Sequence, residues 1–371
     1  VASEFISDNT TQAKKRGKTI DDSVNVVING KSFSGWKTVS ITKSIESVAN
    51  SFSLSLHDKF EGLRQSWPIR SDIPLNISIG KERVLTGVIE QTEPSFSVGS
   101  RSFSVAGRSN AGDLVDCSHT GESEFNNVFL DKLAEELVGP FGIKVFLSVE
   151  PKKIDKFAVK PGEKVFEALD RAARLQGFFW VSTRGGNIRL TRAARARAFS
   201  SLQEGVNLIG GNGTFNSAKR HSEYVVRGQA SGVSGITGIS GAQVEGTAKD
   251  SGVSRHRPLI VLAEGAVDTD KAKTRAQWEA SNRLAMASRM SVSVQGWRQE
   301  NGELWGVNQL TRLKSRTLGV DQDVLIVGLT HKKAISGGTS TDLTLVDSRS
   351  YDPKPNFKKE DDLLSQLGVN I

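Results

Sequence analysis

From Ser23 onward apolar and polar residues alternate with a period of two, and this pattern constrains the fold more than any motif in the chain. Val24, Val26 and Ile28 alternate with Asn25, Val27 and Asn29, and Asn29-Gly30 then supplies a tight turn. Val39 and Ile41 stand between Thr38, Ser40 and Thr42; Phe52, Leu54 and Leu56 stand between Ser51, Ser53 and Ser55. A strand sends successive side chains to opposite faces, so each segment carries one wet face and one buried face. Further strands fit 75–79, 83–90 and 102–107. The spacing predicts a first β-barrel domain over 23–110, antiparallel in kind.

The pattern then changes. In 111–205 it predicts an α+β domain. Asn127 is placed to cap a helix carrying Val128, Leu130, Leu133, Ala134 and Leu137, closed by Gly139-Pro140. A strand at 143–149 follows, then a helix over 163–176 with Val165, Phe166, Leu169, Ala172 and Ala173 on one face, then strands at 178–182 and 187–191 around Gly185-Gly186. Residues 206–350 return to β character and read as a second β-barrel domain. Its strands fit 223–227, 257–263, 291–297, 305–313, 322–330 and 341–347, with a helix at 268–288 and a Gly/Ser-rich mobile loop at 228–243. A flexible N-terminal arm is expected at 1–22, with Lys14, Lys15, Arg16 and Lys18 clustered, and a C-terminal tail at 351–371. In the tail, Leu363, Leu364, Leu367, Val369 and Ile371 form a short apolar stripe.

One internal echo stands out. Val84 to Ile89, a Ser/Gly-containing linker and Phe103-Ser104-Val105 resemble Val324 to Leu329, a similar linker and Leu343-Thr344-Leu345. Both read as hairpins with a glycine in the first strand, and the repeat suggests two related barrels in one chain.

Composition narrows the function. With 371 residues, 37% hydrophobic content and 36 glycines, the chain is neither disordered nor collagenous, and it is long enough for several domains. No run of about 18 apolar residues is present, so no spanning helix and no stable membrane insertion are expected. The opening residues lack the apolar core of a signal peptide, so Sec export is not expected. Cys117 is the single cysteine, which excludes an internal disulfide and a cysteine-rich zinc site. The net charge of +8 is spread along the chain and fits a solvated mixed-charge surface.

Motifs for chemistry are weak. His57, His119, His221, His256 and His331 include no i, i+4 pair for a zinc-binding helix. Ser40 and Lys43 have the SxxK spacing of a Ser–Lys nucleophile, but a strand sends i and i+3 to opposite faces. Gly211-Asn212-Gly213 begins a dinucleotide fingerprint that Asn216 breaks. Gly30-Lys31 and Gly80-Lys81 lack the rest of a phosphate loop. Arg184, Arg189, Arg192, Arg195 and Arg197 form one basic set, and Arg312, Lys314 and Arg316 another; either could touch phosphates, with solvated surface the plainer reading. Trp36, Trp67, Trp180, Trp278, Trp297 and Trp305 read first as core residues, or as anchors of a subunit interface. No catalytic, cofactor-binding or metal-binding residue is assigned, no cofactor is expected, and the chain does not read as an enzyme.

Several stretches, in order, resemble the baseplate hub protein of Mu-like contractile-tail phages. They are Phe33 to Ala49; Val105-Ala106-Gly107-Arg108 through Asp113 to Cys117; Glu167-Ala168-Leu169 with Arg171-Ala172; Ser254-Arg255-His256-Arg257-Pro258; and Gly296-Trp297 through Gly302 to Trp305. The resemblance covers about 24–350 and leaves the arm and tail aside. It implies a mainly β chain with two tube-type antiparallel β-barrels and smaller α+β modules. It also implies a homotrimer that joins a threefold central spike protein to a sixfold tail tube protein, contacts other baseplate proteins, and lines a channel that DNA only transits. The location implied is the tail baseplate of the virion. Three readings compete: a tail-associated cell-wall hydrolase, a nucleic-acid- or carbohydrate-binding module, and a type VI secretion spike hub.

Overall fold

The computed structural model describes residues 21–59, 69–98, 100–174, 176–193, 196–229, 243–266 and 269–348. The 1–22 arm (apart from Asp21 and Asp22), most of the 228–243 loop, the tail, Trp67 and Arg195 lie outside the described residues.

The first half of the main sheet contains β1 (Val24–Ile28), β2 (Lys31–Phe33), β3 (Thr38–Ser44), β4 (Ser51–Lys59), β5 (Ile73–Ile79), β6 (Glu82–Ser97) and β7 (Ser100–Ser109). Its strands run β3-β4-β7-β6-β5-β1-β2, all antiparallel. The alternation works as expected: Val24, Val26, Ile28, Val39, Ile41, Phe52, Leu54, Ile77, Ile89 and Val105 share one core. Because β1 and β3 stand far apart in strand order yet meet in that core, the sheet is curled around it like a barrel. Asn29 and Gly30, both at positive φ, make the β1–β2 turn.

Next come α1 (Gly112–Asp116), β8 (Glu124–Phe129), α2 (Leu130–Val138), β9 (Val145–Leu147), β10 (Lys153–Ala158), α3 (Val165–Arg174), β11 (Phe179–Ser182) and β12 (Ile188–Thr191). The apolar faces of α2 and α3 meet in a core of Leu130, Leu133, Leu137, Val165, Leu169 and Ala172 with Trp180. The helix expected to be capped by Asn127 starts later. Asn127 and Val128 belong to β8, which pairs with β10, and Asn127 has φ +52°. The strand β10, which the pattern does not suggest, pairs with Asn126 and Val128 on either side of Asn127 and keeps the segment in the ladder.

The second half contains β13 (Leu202–Gln203), β14 (Leu208–Phe215), β15 (Glu223–Gln229), β16 (Gln243–Lys249), β17 (Pro258–Ala266), α4 (Thr269–Ala287), β18 (Ser288–Gln295), β19 (Gln309–Ser315), β20 (Val320–Ala334) and β21 (Gly338–Asp347). β15, β16 and β17 form a small sheet against α4, cored by Tyr224, Val226, Ala272 and Ala276. The strand expected at 305–313 begins only at Gln309, because Leu304 and Trp305 turn into cores instead. The remaining strands order as β14-β18-β21-β20, with β19 beside β20 and β13 beside β19, around Met290, Val292, Leu313, Ile326, Leu343 and Leu345.

The chain is thus mainly β with α+β modules. The two halves do not stand as separate barrels, however: β20 pairs antiparallel with β3 and fuses them into one sheet of 13 strands. Each half is curled by its core rather than closed by a hydrogen-bonded seam among the described residues. Trp297 and Leu304, from the segment after β18, insert into the first half's core, and the Trp297 indole N–H donates to the Lys332 carbonyl at 2.8 Å.

Candidate channel-facing and subunit-facing surfaces

The junction between the halves is where sequence pattern becomes a surface. Across β3–β20, Thr42 opposes Thr330, and their hydroxyls lie 3.1 Å apart. Thr42 and Ser40 belong to the face turned away from the core, as do Ser51, Ser53 and Ser55 on β4 and Ser104 on β7. Past the junction the same face carries Thr344 and Asp342 on β21, Ser291 and Ser293 on β18, and Asn212 and Thr214 on β14. A band of small hydroxyl and amide side chains therefore crosses eight strands, from β14 to β6.

Its charges are paired. Lys332 Nζ lies 2.5 Å from Asp342, whose carboxyl also accepts from Ser293 Oγ at 2.5 Å. Burial raises the Asp342 pKa, but the bonds from Lys332 and Ser293 outweigh it, and the group titrates below the usual carboxylate range. Toward one end, Arg108 pairs with Glu90 at 2.7 Å and with Asp116, and Arg289 pairs with Glu46 at 2.5 Å. There the α+β module covers the band: Phe179 and Val181 of β11 pack on Ile45, Leu325, Val327 and Val346.

The core side of the junction holds a second polar group. His331, opposite Ile41, is buried with Nδ1 3.2 Å from Thr341 Oγ1 and no partner on Nε2. Desolvation, then the positive charges of Lys43, Arg184 and Arg298, push its pKa down to about 3, so the ring is neutral. Lys43 is pushed down to about 8, chiefly by desolvation and then by Arg184. Arg298 is held by Asp22 at 2.7 Å and by Glu82, which also meets Arg184 at 3.4 Å.

The residues singled out for chemistry do not converge. Ser40 faces the polar band and Lys43 the core side, as strand spacing requires. Gly211-Asn212-Gly213 lies inside β14. Of the basic sets, Arg184 pairs with Glu82, while Arg197, paired with Asp323 at 2.7 Å, lies beside Arg312, which stands opposite Asp323 on the β19–β20 ladder and pairs with Asp321 at 2.9 Å; each guanidinium is matched by a carboxylate. Trp36, Trp180, Trp297 and Trp305 are core residues, and Arg275 lies over Trp278 at 4.7 Å. Among the described residues no group of three His, Cys, Asp or Glu side chains is placed to hold a metal ion, and no helix is long and apolar enough to cross a membrane. The β3–β20 junction was invisible to sequence reasoning; the Ser/Thr half of the alternation was the only signal of the band.

Comparison with known proteins decides the family. The chain is 31% identical to the baseplate hub protein gp44 of Escherichia phage Mu over 322 residues, 83% of each chain. It belongs to the Mu-type baseplate hub family. Family models agree along the chain: the Mu phage baseplate assembly protein GpP-like N-terminal domain matches 23–109, and the baseplate hub protein gp44-like second domain matches 111–192. The tail protein NMB1110-like third domain matches 220–278, and the GpP fourth domain matches 268–354. Among solved structures, the 43 kDa tail protein of prophage MuSo2 from Shewanella oneidensis superposes with a TM-score of 0.80 at 29% identity, covering 89% of this chain and 100% of that one. The tail protein from Neisseria meningitidis MC58 shares the fold, with a TM-score of 0.77 at 22% identity over 89% of this chain and 98% of its own. The hub is a structural component of a phage tail and hence of the virion.

Proposed function

We propose that this hub works as a homotrimer that joins the threefold central spike to the sixfold tail tube, with the hydroxyl band lining the DNA-exit channel and no catalytic role of its own. The observation that carries the reading is the fused sheet. One chain supplies two like halves side by side, so three chains supply six like units around a threefold axis. The band suits a conduit. Duplex DNA is held mainly by unpaired Lys and Arg that displace its counterions. Neutral hydroxyls and a Lys332 already paired with Asp342 offer little of that. Polar side chains still keep such a wall wetted. The spike, the first tube ring and neighbouring baseplate proteins are then the partners at the ends and rim of the ring.

The test is mass in solution, by light scattering behind size exclusion over a range of concentrations. A mass of three chains is expected. Lytic zones on peptidoglycan zymograms, or salt-sensitive retardation of DNA by the isolated protein, would instead favour the hydrolase or the nucleic-acid-binding reading.

A further inference from the structure

The two halves repeat each other strand by strand, and the repeat leaves two complementary edges open. β20–β21 carries a bulge between Ile326 and Gly328, and β6–β7 carries one between Ile89 and Gln91. Superimposing the bulges sets Gly328 on Gln91 and Thr344 on Ala106. Following the ladders outward, Val346 pairs with Arg289 as Arg108 pairs with Ser51, and Arg289 pairs with Thr214 as Ser51 pairs with Thr42. The series β14-β18-β21-β20 is therefore the counterpart of β3-β4-β7-β6, residue by residue.

Within one chain, β3 pairs with the outer half of β20, from Gly328 to Lys333. The counterpart of that junction is β14 against the outer half of β6. Neither is occupied: among the described residues β14 pairs with β18 and, at its first residue Leu208 alone, bridges Glu204, while past Ile89 β6 pairs only with β7. β14 is at one end of the fused sheet and the outer part of β6 lies across the other half, so one chain cannot join them through this ladder without closing on itself. A second copy can. We infer that β14 of each hub chain pairs antiparallel with the outer half of β6 of the next copy, in the register of β3 on β20; the inference rests on the trimer reading and gives it its contact.

The register is explicit. Transferring the Thr42–Thr330 pair places Thr214 opposite Glu93; the neighbouring pairs are Phe215 with Thr92, Gly213 with Pro94, Asn212 with Ser95 and Gly211 with Phe96. This sorts the side chains. Phe96, Pro94, Phe215 and the two glycines share one face, while Glu93, Ser95, Asn212 and Thr214 continue the hydroxyl band on the other. Phe96 is 87% exposed and Phe215 56% exposed in the single chain, and the ladder places both on the side where Leu329 and Ile41 are buried at the internal junction. Gly211 and Gly213 stand where β3 has Val39 and Ile41, which leaves room for the Phe96 and Phe215 rings.

Pro94 sharpens the assignment. The bond from the Ile45 N–H to the Val327 carbonyl fixes the alternation at the internal junction, so the His331 N–H points toward β3. Pro94 takes the place of His331, and its missing N–H faces the open edge. A proline there fits a strand that forms an edge in the single chain. It removes one bond from the ladder and blunts the edge against unspecific pairing before assembly.

The test is disulfide trapping in a Cys117→Ser background. Opposed residues of a non-hydrogen-bonded antiparallel pair have closely spaced Cα atoms, which suits a disulfide. Glu93→Cys and Thr214→Cys occupy such a pair on exposed strand positions. Mixing a chain carrying E93C with one carrying T214C should give an oxidised heterodimer, and the doubly substituted chain should give covalent trimer. E93C mixed with N212C, two residues out of register, should cross-link far less. A three-chain mass by light scattering with no E93C–T214C bond would overturn this pairing and leave the trimer standing. A strict monomer with no cross-link at the highest concentration would overturn both.

Discussion

β3 and β14 hold the same place in their halves, beside β4 and β18, yet they are built differently. β3 sends Val39 and Ile41 into a packed core and is covered by β20. β14 sends Gly211 and Gly213 to the same side and, among the described residues, is uncovered beyond β18. The comparison teaches that strand order and register can be duplicated while the edge chemistry is not. The filled junction is sealed by β-branched side chains, whereas the open one keeps space and carries a proline on the facing strand.

The comparison breaks most readily at Trp297, which ties the second half to the first half's core. Trp297→Ala removes a fully buried indole and its bond to the Lys332 carbonyl, and should lower unfolding free energy by about 3–5 kcal/mol. An unchanged denaturation midpoint would show that the halves do not depend on each other. The second contrast is between counterpart positions. Ile41→Ala should cost about 2–5 kcal/mol. Gly213→Ala should stay within about 1 kcal/mol, because its new methyl group would meet the end of the exposed Phe215 ring and the tip of Leu318, side-chain ends that can shift. Equal effects at the two positions would erase the distinction between filled and open edges.

The third prediction concerns pH. His331 is neutral in the fold, with its pKa down at about 3 against an ordinary value of 6.5. Between those values the unfolded chain binds the extra proton. Its contribution is therefore fully present above about pH 6.5 and is lost as pH falls toward 3, by up to about 1.4 kcal/mol per pH unit. His331→Gln should flatten this part of the profile relative to the parent in urea titrations; parallel profiles would sink the assignment. Arg197→Ala should have the smallest effect, under about 1 kcal/mol, since its pair with Asp323 is largely solvated and tests only the rim of the second half.

Much of the first half was legible because its strands largely alternate, and Val24, Val26, Ile28, Val39, Ile41, Phe52 and Leu54 found the core their parity required. The hairpin echo was also legible, but its apparent register was not. Matching the glycines sets Gly87 on Gly328, whereas the bulges set Gln91 there and pair Gly87 with Val324. Gly87 is small for a different reason: a side chain would collide with the Arg108 carbonyl across the ladder. β14 left no readable pattern because three of its eight residues are glycine, so only its pairing with β18 keeps it extended. Asn127 misled because its neighbours Asn126 and Val128 pair with β10, which keeps the segment in a ladder and leaves Asn127 at positive φ. The candidate surfaces were least legible. Thr42 and Thr330 are 288 positions apart, and no local rule reports that they face each other.

The late arrival of Trp297 and β20 also shapes how the chain must be made. A nascent first half emerges with its β3 edge bare and its core short of an indole, and both are supplied only after the α+β module and β13–β18 have been synthesised. Folding therefore cannot proceed simply one domain at a time from the N-terminus. It waits for contacts of long sequence separation, which slows the search and leaves a strand edge exposed to other nascent chains meanwhile. Productive yield should then depend on synthesis rate and on chaperone supply more steeply than the stability of the finished hub would suggest.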